Sequence, residues 1–314
     1  MERLGRRVYD ALPPRLRRLL APVWPYLMGL LGLSFRGFLG FARIARFILY
    51  TLWPLFIILA GVATFVGALG ALGIVDLSFF GRVSPLYTRG LILTLIATAV
   101  ILPLSFVVGF FVGWGRISEN TLAYSASTFF VEILRGTPQL VVLLVGFFVI
   151  LPIFVGGAGL RTFAFWAGVV ALGMHSAAYQ AEIFRNGFQS VPSGQIEAAH
   201  ALGLGRWQTM RTVIFPQAFR VSVPPLGNEF ANVVKDSALL SFLGELLIFG
   251  FISFDFTGWG RQIATIALSF ATLRESIFNW VLVAVGYFVL IYVLTAAMLA
   301  LERRMKVPGL EEAI

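Results

Sequence analysis

Five stretches of this chain, 47–75, 90–115, 136–160, 162–181 and 276–301, run for 20 residues or more without one charged side chain. At a rise of ~1.5 Å per residue, about 20 helical residues cross a hydrocarbon core of ~30 Å. The composition agrees, with 59% apolar and only 12% charged residues, roughly half the charge of a soluble domain at ~25%. Too little polar surface remains to solvate a compact body of 314 residues. The sequence therefore predicts an all-α integral membrane protein.

A sixth apolar region, 221–254, is interrupted by Glu229, Lys235, Asp236 and Glu245. It is expected to cross as well, because only six crossings place the basic residues consistently. Arginines and lysines favour the cytoplasmic side. With the N-terminus inside, 17 of them fall on cytoplasmic pieces and five on outer pieces. Without the sixth crossing the C-terminal run Glu302-Arg303-Arg304-Met305-Lys306 would face outward. Both termini are thus expected in the cytoplasm. The first 46 residues hold nine arginines and read as a basic cytoplasmic leader. The apolar run that follows is too long for a signal peptide, so 47–75 reads as a retained membrane helix. Attraction to anionic lipid head groups explains the leader's charge without nucleic acid. Pro54, Pro103 and Pro152 are expected at kinks or helix ends.

Several kinds of chemistry are excluded. There is no cysteine, and the only histidines are His175 and His200, so no metal site is expected. Of the 24 basic residues only Lys235 and Lys306 are lysines, and neither follows a glycine, so the chain has no GxxxxGK phosphate loop. A membrane enzyme would need catalytic equipment such as HExxH or GxSxG, which is absent. A gradient-driven carrier or channel would show inverted repeats with broken helices in both halves, and neither is visible.

The informative segment is the polar loop 185–220. Pro192-Ser193 is a helix-start signal, with Glu197 placed near the positive end of the helix dipole. Gly203 is expected to end that helix in left-handed geometry. A second short helix is expected from Trp207 until Pro216 stops it. Two short helices at a membrane-proximal turn make a knob that fits a cleft on another protein.

Glu197-Ala198-Ala199, Gly203 and Val213-Ile214-Phe215-Pro216 resemble the EAA loop of ABC importer permeases. More narrowly, the chain is similar to the permeases of the polar amino acid group (histidine, glutamine, arginine). The carrying segments are Leu134-Arg135-Gly136-Thr137-Pro138, Ser176-Ala177-Ala178-Tyr179-Gln180-Ala181-Glu182-Ile183, Gln189-Ser190-Val191-Pro192, Phe215-Pro216-Gln217-Ala218, Pro224-Pro225-Leu226-Gly227-Asn228-Glu229-Phe230 and Lys235-Asp236-Ser237. Order and spacing agree over roughly residues 87–306. The resemblance implies a type I ABC importer transmembrane domain at 87–306, with the helix 47–75 added before a five-helix core and a tail at 307–314. It departs from the group at His175, where such permeases usually carry Asn.

The resemblance also implies roles. Glu197, Ala198, Ala199, Gly203 and Pro216 would couple transport to a separate ATPase. No residue of this chain would be catalytic. ATP and Mg would sit on the partner, a dimer of ABC ATP-binding subunits. The other implied partners are an extracytoplasmic amino-acid-binding protein, a second permease chain and the bilayer of a bacterial inner membrane. Intramembrane polar groups are costly and usually functional or paired. On that ground His175, Tyr179, Asn228 and Glu229 are the candidates for a polar substrate path, with a packing role for His175 left open. His175, Tyr179 and Glu182 share one helical face by their spacing. Arg135 has Glu132 one turn back as its expected partner, and Lys235 has Asp236. Gly109 and Gly113 have the GxxxG spacing of close helix contacts.

Overall fold

The structure, a computed structural model, describes residues 53–64, 66–68, 70–71, 77–243, 246–248, 251–270 and 273–305. The leader 1–46, the start of the helix 47–75 and the tail 307–314 lie outside them. The chain forms two compact units, Met1–Ala63 and Thr64–Ile314. The described part of the first is apolar helix, with the rings of Trp53 and Phe56 stacked 5.8 Å apart. Among the described residues, 53–64 and 66–68 are helical and are labelled α1.

The second unit continues with α2 (Leu77–Gly115), α3 (Thr121–Gly136), α4 (Gln139–Val145) and α5 (Leu151–Gln189). Next come α6 (Ser193–Ala201), α7 (Arg206–Thr209), α8 (Phe215–Asp236) and a 3-10 turn, Ser237–Leu243. A small hairpin follows, β1 (Leu246–Ile248) antiparallel to β2 (Phe251–Ser253), before α9 (Phe256–Phe270) and α10 (Leu273–Met305). Among the described residues, Gly81–Gly115 and Glu275–Glu302 are single helices apolar and long enough to cross a membrane. A third candidate is broken at Thr137-Pro138, where Thr121–Gly136 and Gln139–Val155 meet at 108°.

α5 is helical throughout, yet its first limb folds back. A methyl group on Gly146 would lie 3.0 Å from the Ala171 Cβ, whereas an unbroken rod would hold those positions ~37 Å apart. The chain therefore reverses between them, in keeping with the boundary expected between 136–160 and 162–181.

Four expectations are corrected. First, α2 begins at Leu77 rather than at residue 90, and runs through Pro85 and Pro103. The polar residues of 77–89 hide an apolar face: Phe79, Val83 and Tyr87 recur every fourth position and pack with Phe256, Ile263, Phe278 and Val283. A search for uncharged runs cannot see such a face. Second, 256–270, counted among the pieces between spans, is a helix. Its start is capped by Asp255, whose two carboxylate oxygens accept from the backbone N–H of Thr257 at 3.0 Å and of Gly258 at 3.1 Å, satisfying donors a helix start leaves open.

Third, Pro216 does not stop a helix; it opens α8. A π-turn, Met210–Ile214, precedes it, and the Phe215 N–H donates five residues back to the Met210 carbonyl. Pro152 is accommodated in the same way. The π-turn Gly146–Ile150 precedes it, and the Leu151 N–H donates to Gly146. A proline ring lacks an N–H and crowds the carbonyl four residues back; a wider turn just before it relieves both problems. Fourth, 221–254 is not one helix. α8 ends at Asp236, and a 3-10 turn and a hairpin are what the described residues beyond it form.

The core joins α2, α5 and α8. Ala97 and Ile101 pack with Phe165, Val169 and Leu172 at one level. Phe106 and Phe110 meet Phe184, Ala218 and Leu226 at the other. At this second level Gly109 and Gly113 face the α5 backbone at Ala177 and Ala181, so the GxxxG spacing marks the α2–α5 contact.

Candidate functional site

Two sites emerge, a knob and a polar face on the bundle. The knob is α6, α7 and the turn between them. α6 starts directly after Pro192, as expected, but Glu197 is its fifth residue and lies beyond the first turn, so the dipole does not explain it. Its end is fully determined. Gly203 has φ +79°, its N–H donates to the His200 carbonyl at 2.9 Å, and the Leu204 N–H donates to Ala199 at 3.1 Å. This is the paired closure that requires a left-handed residue just past a helix. Ala199 is buried, whereas Glu197 and Ala198 are exposed. Beside them stand two large apolar side chains that the sequence reading did not single out, Leu202 at 82% and Trp207 at 64% exposure. Trp207 stacks on Trp114 at the end of α2, with ring centroids 6.0 Å apart, and Arg206 pairs with Glu119. The knob is thus braced through Trp207 and Arg206, while Leu202 stays exposed at its tip.

On the bundle, the ring of His175 lies 5.2 Å from that of Tyr179, and the Thr137 backbone faces His175. The broken pair at Thr137-Pro138 thereby touches the candidate path. His175 itself is 7% exposed, and Tyr179 is at the surface. Glu229 is turned inward. Ser176 donates to its Oε1 at 2.7 Å, and Asn232 Nδ2 approaches Oε2 at 3.4 Å. The Gln180 amide donates to Ser176 at 3.1 Å and to Ser105 of α2 at 2.7 Å. One buried polar ladder therefore ties α2, α5 and α8, while Gln180 Oε1 has no partner among the described residues. Asn228, next to Glu229, is exposed. The Ser176–Glu229 bond sets His175 and Asn228 at one level of the helix pair.

The ion pairs differ from expectation. Glu132 is engaged by Arg116 at 3.5 Å, and Arg135 faces Glu182 at 4.0 Å, with its guanidinium 5.2 Å from the Tyr179 ring centroid. The shared face of His175, Tyr179 and Glu182 holds, since Arg135 reaches two of the three. Lys235 lies 3.5 Å from the Asn232 Oδ1, and no salt bridge joins it to Asp236 among the described residues. No group of three or more potential metal-ligating residues occurs among the described residues.

The chain is similar to known proteins. The family described as binding-protein-dependent transport system inner membrane component matches residues 105–307. The glutamine transport system permease protein GlnP of Escherichia coli (strain K12) is 35% identical over 232 residues, covering 74% of this chain and 98% of its own. A crystal structure of an amino acid ABC transporter with histidines shares 34% identity and a TM-score of 0.60, over 73% of this chain and 99% of that one. The MetNI methionine ABC transporter shares the fold, with a TM-score of 0.57 at 23% identity over 72% of this chain and 99% of that one.

Proposed function

The chain belongs to the family of binding-protein-dependent transport system inner membrane components, and on that premise we propose that it forms the translocation path of an importer for polar amino acids. It is a permease subunit of the ABC type and not an enzyme; ATP is hydrolysed on a separate subunit. The observation that carries the coupling role is the knob, an EAA helix locked by Gly203 with Leu202 and Trp207 exposed at its tip. Glu197, Ala198, Ala199 and Gly203 shape it, Pro216 opens the helix α8 that follows it, and a dimer of ABC ATP-binding subunits is its counterpart. A binding protein delivers substrate on the opposite side. A second permease chain completes the path against the exposed face of α8 that bears Asn228, Asn232 and Lys235.

The layout proposed is a core at 87–306 preceded by the added helix at 47–75, with both termini and the knob in the cytoplasm. Reporter fusions after residue 74 and after residue 314 should report opposite sides of the inner membrane. Reports from one side only would remove the first helix or one later crossing.

For the substrate, His175, Tyr179 and Asn228 line the polar path, and Glu229 acts from behind through Ser176. A zwitterion needs donors and acceptors together, which this set supplies. Losing one hydrogen bond to a charged ligand costs ~1.5–3 kcal/mol, so His175→Ala and Asn228→Ala should each raise the KM for uptake by about tenfold or more. Glu229→Gln should shift the ranking among L-glutamine, L-arginine and L-histidine. The measurement is uptake by proteoliposomes holding the assembled transporter; unchanged KM and ranking in all three variants would place the path elsewhere.

A further inference from the structure

Three arginines from three different segments converge on one carboxylate. Arg116, just past the end of α2, donates Nη1 to Glu182 Oε2 at 2.6 Å. Arg185, one turn further along α5, donates Nε to Oε1 at 3.0 Å and closes the pair with Nη2. Arg135, in the last turn of α3, holds Nη1 at 4.0 Å from Oε2. Arg116 also reaches Glu132 at 3.5 Å. Three guanidinium groups face two carboxylates, and Arg185 also donates to Gln189 and Asn186, so the three are not held equally.

The geometry identifies the one held least. The side chain of Arg135 is 40% exposed, against 12% for Arg116 and 25% for Arg185, and its separation from Glu182 is the longest of the three. What Arg135 lacks in ion pairing it recovers from the face of the Tyr179 ring. The short, half-buried bonds of Arg116 and Arg185 are charge-assisted and hold Glu182 in place. A 4.0 Å contact to a half-exposed guanidinium is weak and separates at little cost.

Position gives this cluster its meaning. Arg135 directly precedes Gly136-Thr137-Pro138, the corner at which the chain turns by 108° and at which Thr137 meets His175. Glu182 and Arg185 lie in the last turns of α5, which leads through Ser190-Val191-Pro192 into α6 and the knob. The cluster therefore touches both the candidate path and the root of the knob.

We infer that Glu182 is a positioning residue that links the knob to the substrate path, with Arg135 as its exchangeable partner, held by Glu182 in the conformation seen here and released from it when the path switches. The inference rests on the permease reading above and adds to it the residues that carry the link.

The test uses the whole transporter, reconstituted with its ATPase and with binding protein loaded with L-glutamine. Basal and stimulated ATP hydrolysis are both measured. Arg135→Ala should raise basal hydrolysis severalfold and reduce the ratio of stimulated to basal hydrolysis by about threefold or more. Arg135→Lys, which retains the cation and its ring contact, should restore most of the ratio. Glu182→Gln should reduce the ratio at least as far as Arg135→Ala. A purely structural role would lower both rates in parallel with the amount of assembled complex, and that outcome would overturn the inference. So would a ratio that stays within a factor of about 1.5 of wild type in Arg135→Ala. If unmodified transporter shows no stimulation, the permease reading fails and takes this inference with it. If wild type is stimulated and the variants match it, only the inference falls.

Discussion

Transporter carrying Glu197→Lys should hydrolyse ATP no faster with liganded binding protein than without it, while its permease still assembles in the membrane. Glu197 is exposed on α6 and forms no salt bridge among the described residues, so reversing its charge leaves the bundle untouched and acts on the docking face. Spoiling one charged contact at a docked interface costs ~2–5 kcal/mol, which is more than tenfold in the docking equilibrium. Gly203 tests the same knob by a different route. Nothing lies within 4 Å of a Cβ placed there, so a clash at the Cβ is not the issue. A non-glycine residue at φ +79° bears about 1–2 kcal/mol of backbone strain, and a bulky one also projects next to Leu202. Gly203→Phe should therefore uncouple the transporter, and Gly203→Asn, which tolerates left-handed geometry, should retain most of the stimulation. Full stimulation in both Glu197→Lys and Gly203→Phe would remove the knob from the coupling mechanism.

Gly113→Leu should have the largest effect on the fold. A Cβ at Gly113 would sit 2.6 Å from the Ala181 carbonyl oxygen and 2.9 Å from the Phe184 Cβ. Neither neighbour is the free end of a flexible chain, so α2 and α5 must move apart. Overpacking costs about 1–3 kcal/mol where side chains can adjust, and separating two backbones exceeds that. The Gln180–Ser105 bond, about two turns back along α2, would be strained by the same movement. We expect loss of monodisperse protein in detergent, or a fall in Tm of the purified permease by ten degrees or more. Gly109→Leu, opposed by the Gln180 Cβ at 2.8 Å and the Ala177 carbonyl at 2.9 Å, should behave alike. Wild-type thermal stability in either variant would mean that the two helices do not pack as described.

The membrane class, the knob and the shared face of His175, Tyr179 and Glu182 were all determined by the sequence itself. Each depends on signals read within a few residues: an uncharged run long enough for a bilayer, a proline before a helix and a glycine after it, or a spacing of three or four. Such signals act through the chain's own backbone, so no partner segment is needed to interpret them. What the tertiary structure decided has a different character. Arg135 was matched to Glu132 by sequence proximity, but the bend at Thr137-Pro138 carries α3 against α5 and gives it Glu182. Glu229 belongs to the costly polar groups on any reading, yet whether it faces a path or the core depended on Ser176 of α5, 53 positions away. The early start of α2 needed α9 and α10 to cover Phe79, Val83 and Tyr87. In a bilayer the hydrophobic effect does not sort helix against helix, because lipid tails are as apolar as leucine. Close packing and hydrogen bonds between distant segments decide the arrangement instead, and those depend on which helices become neighbours.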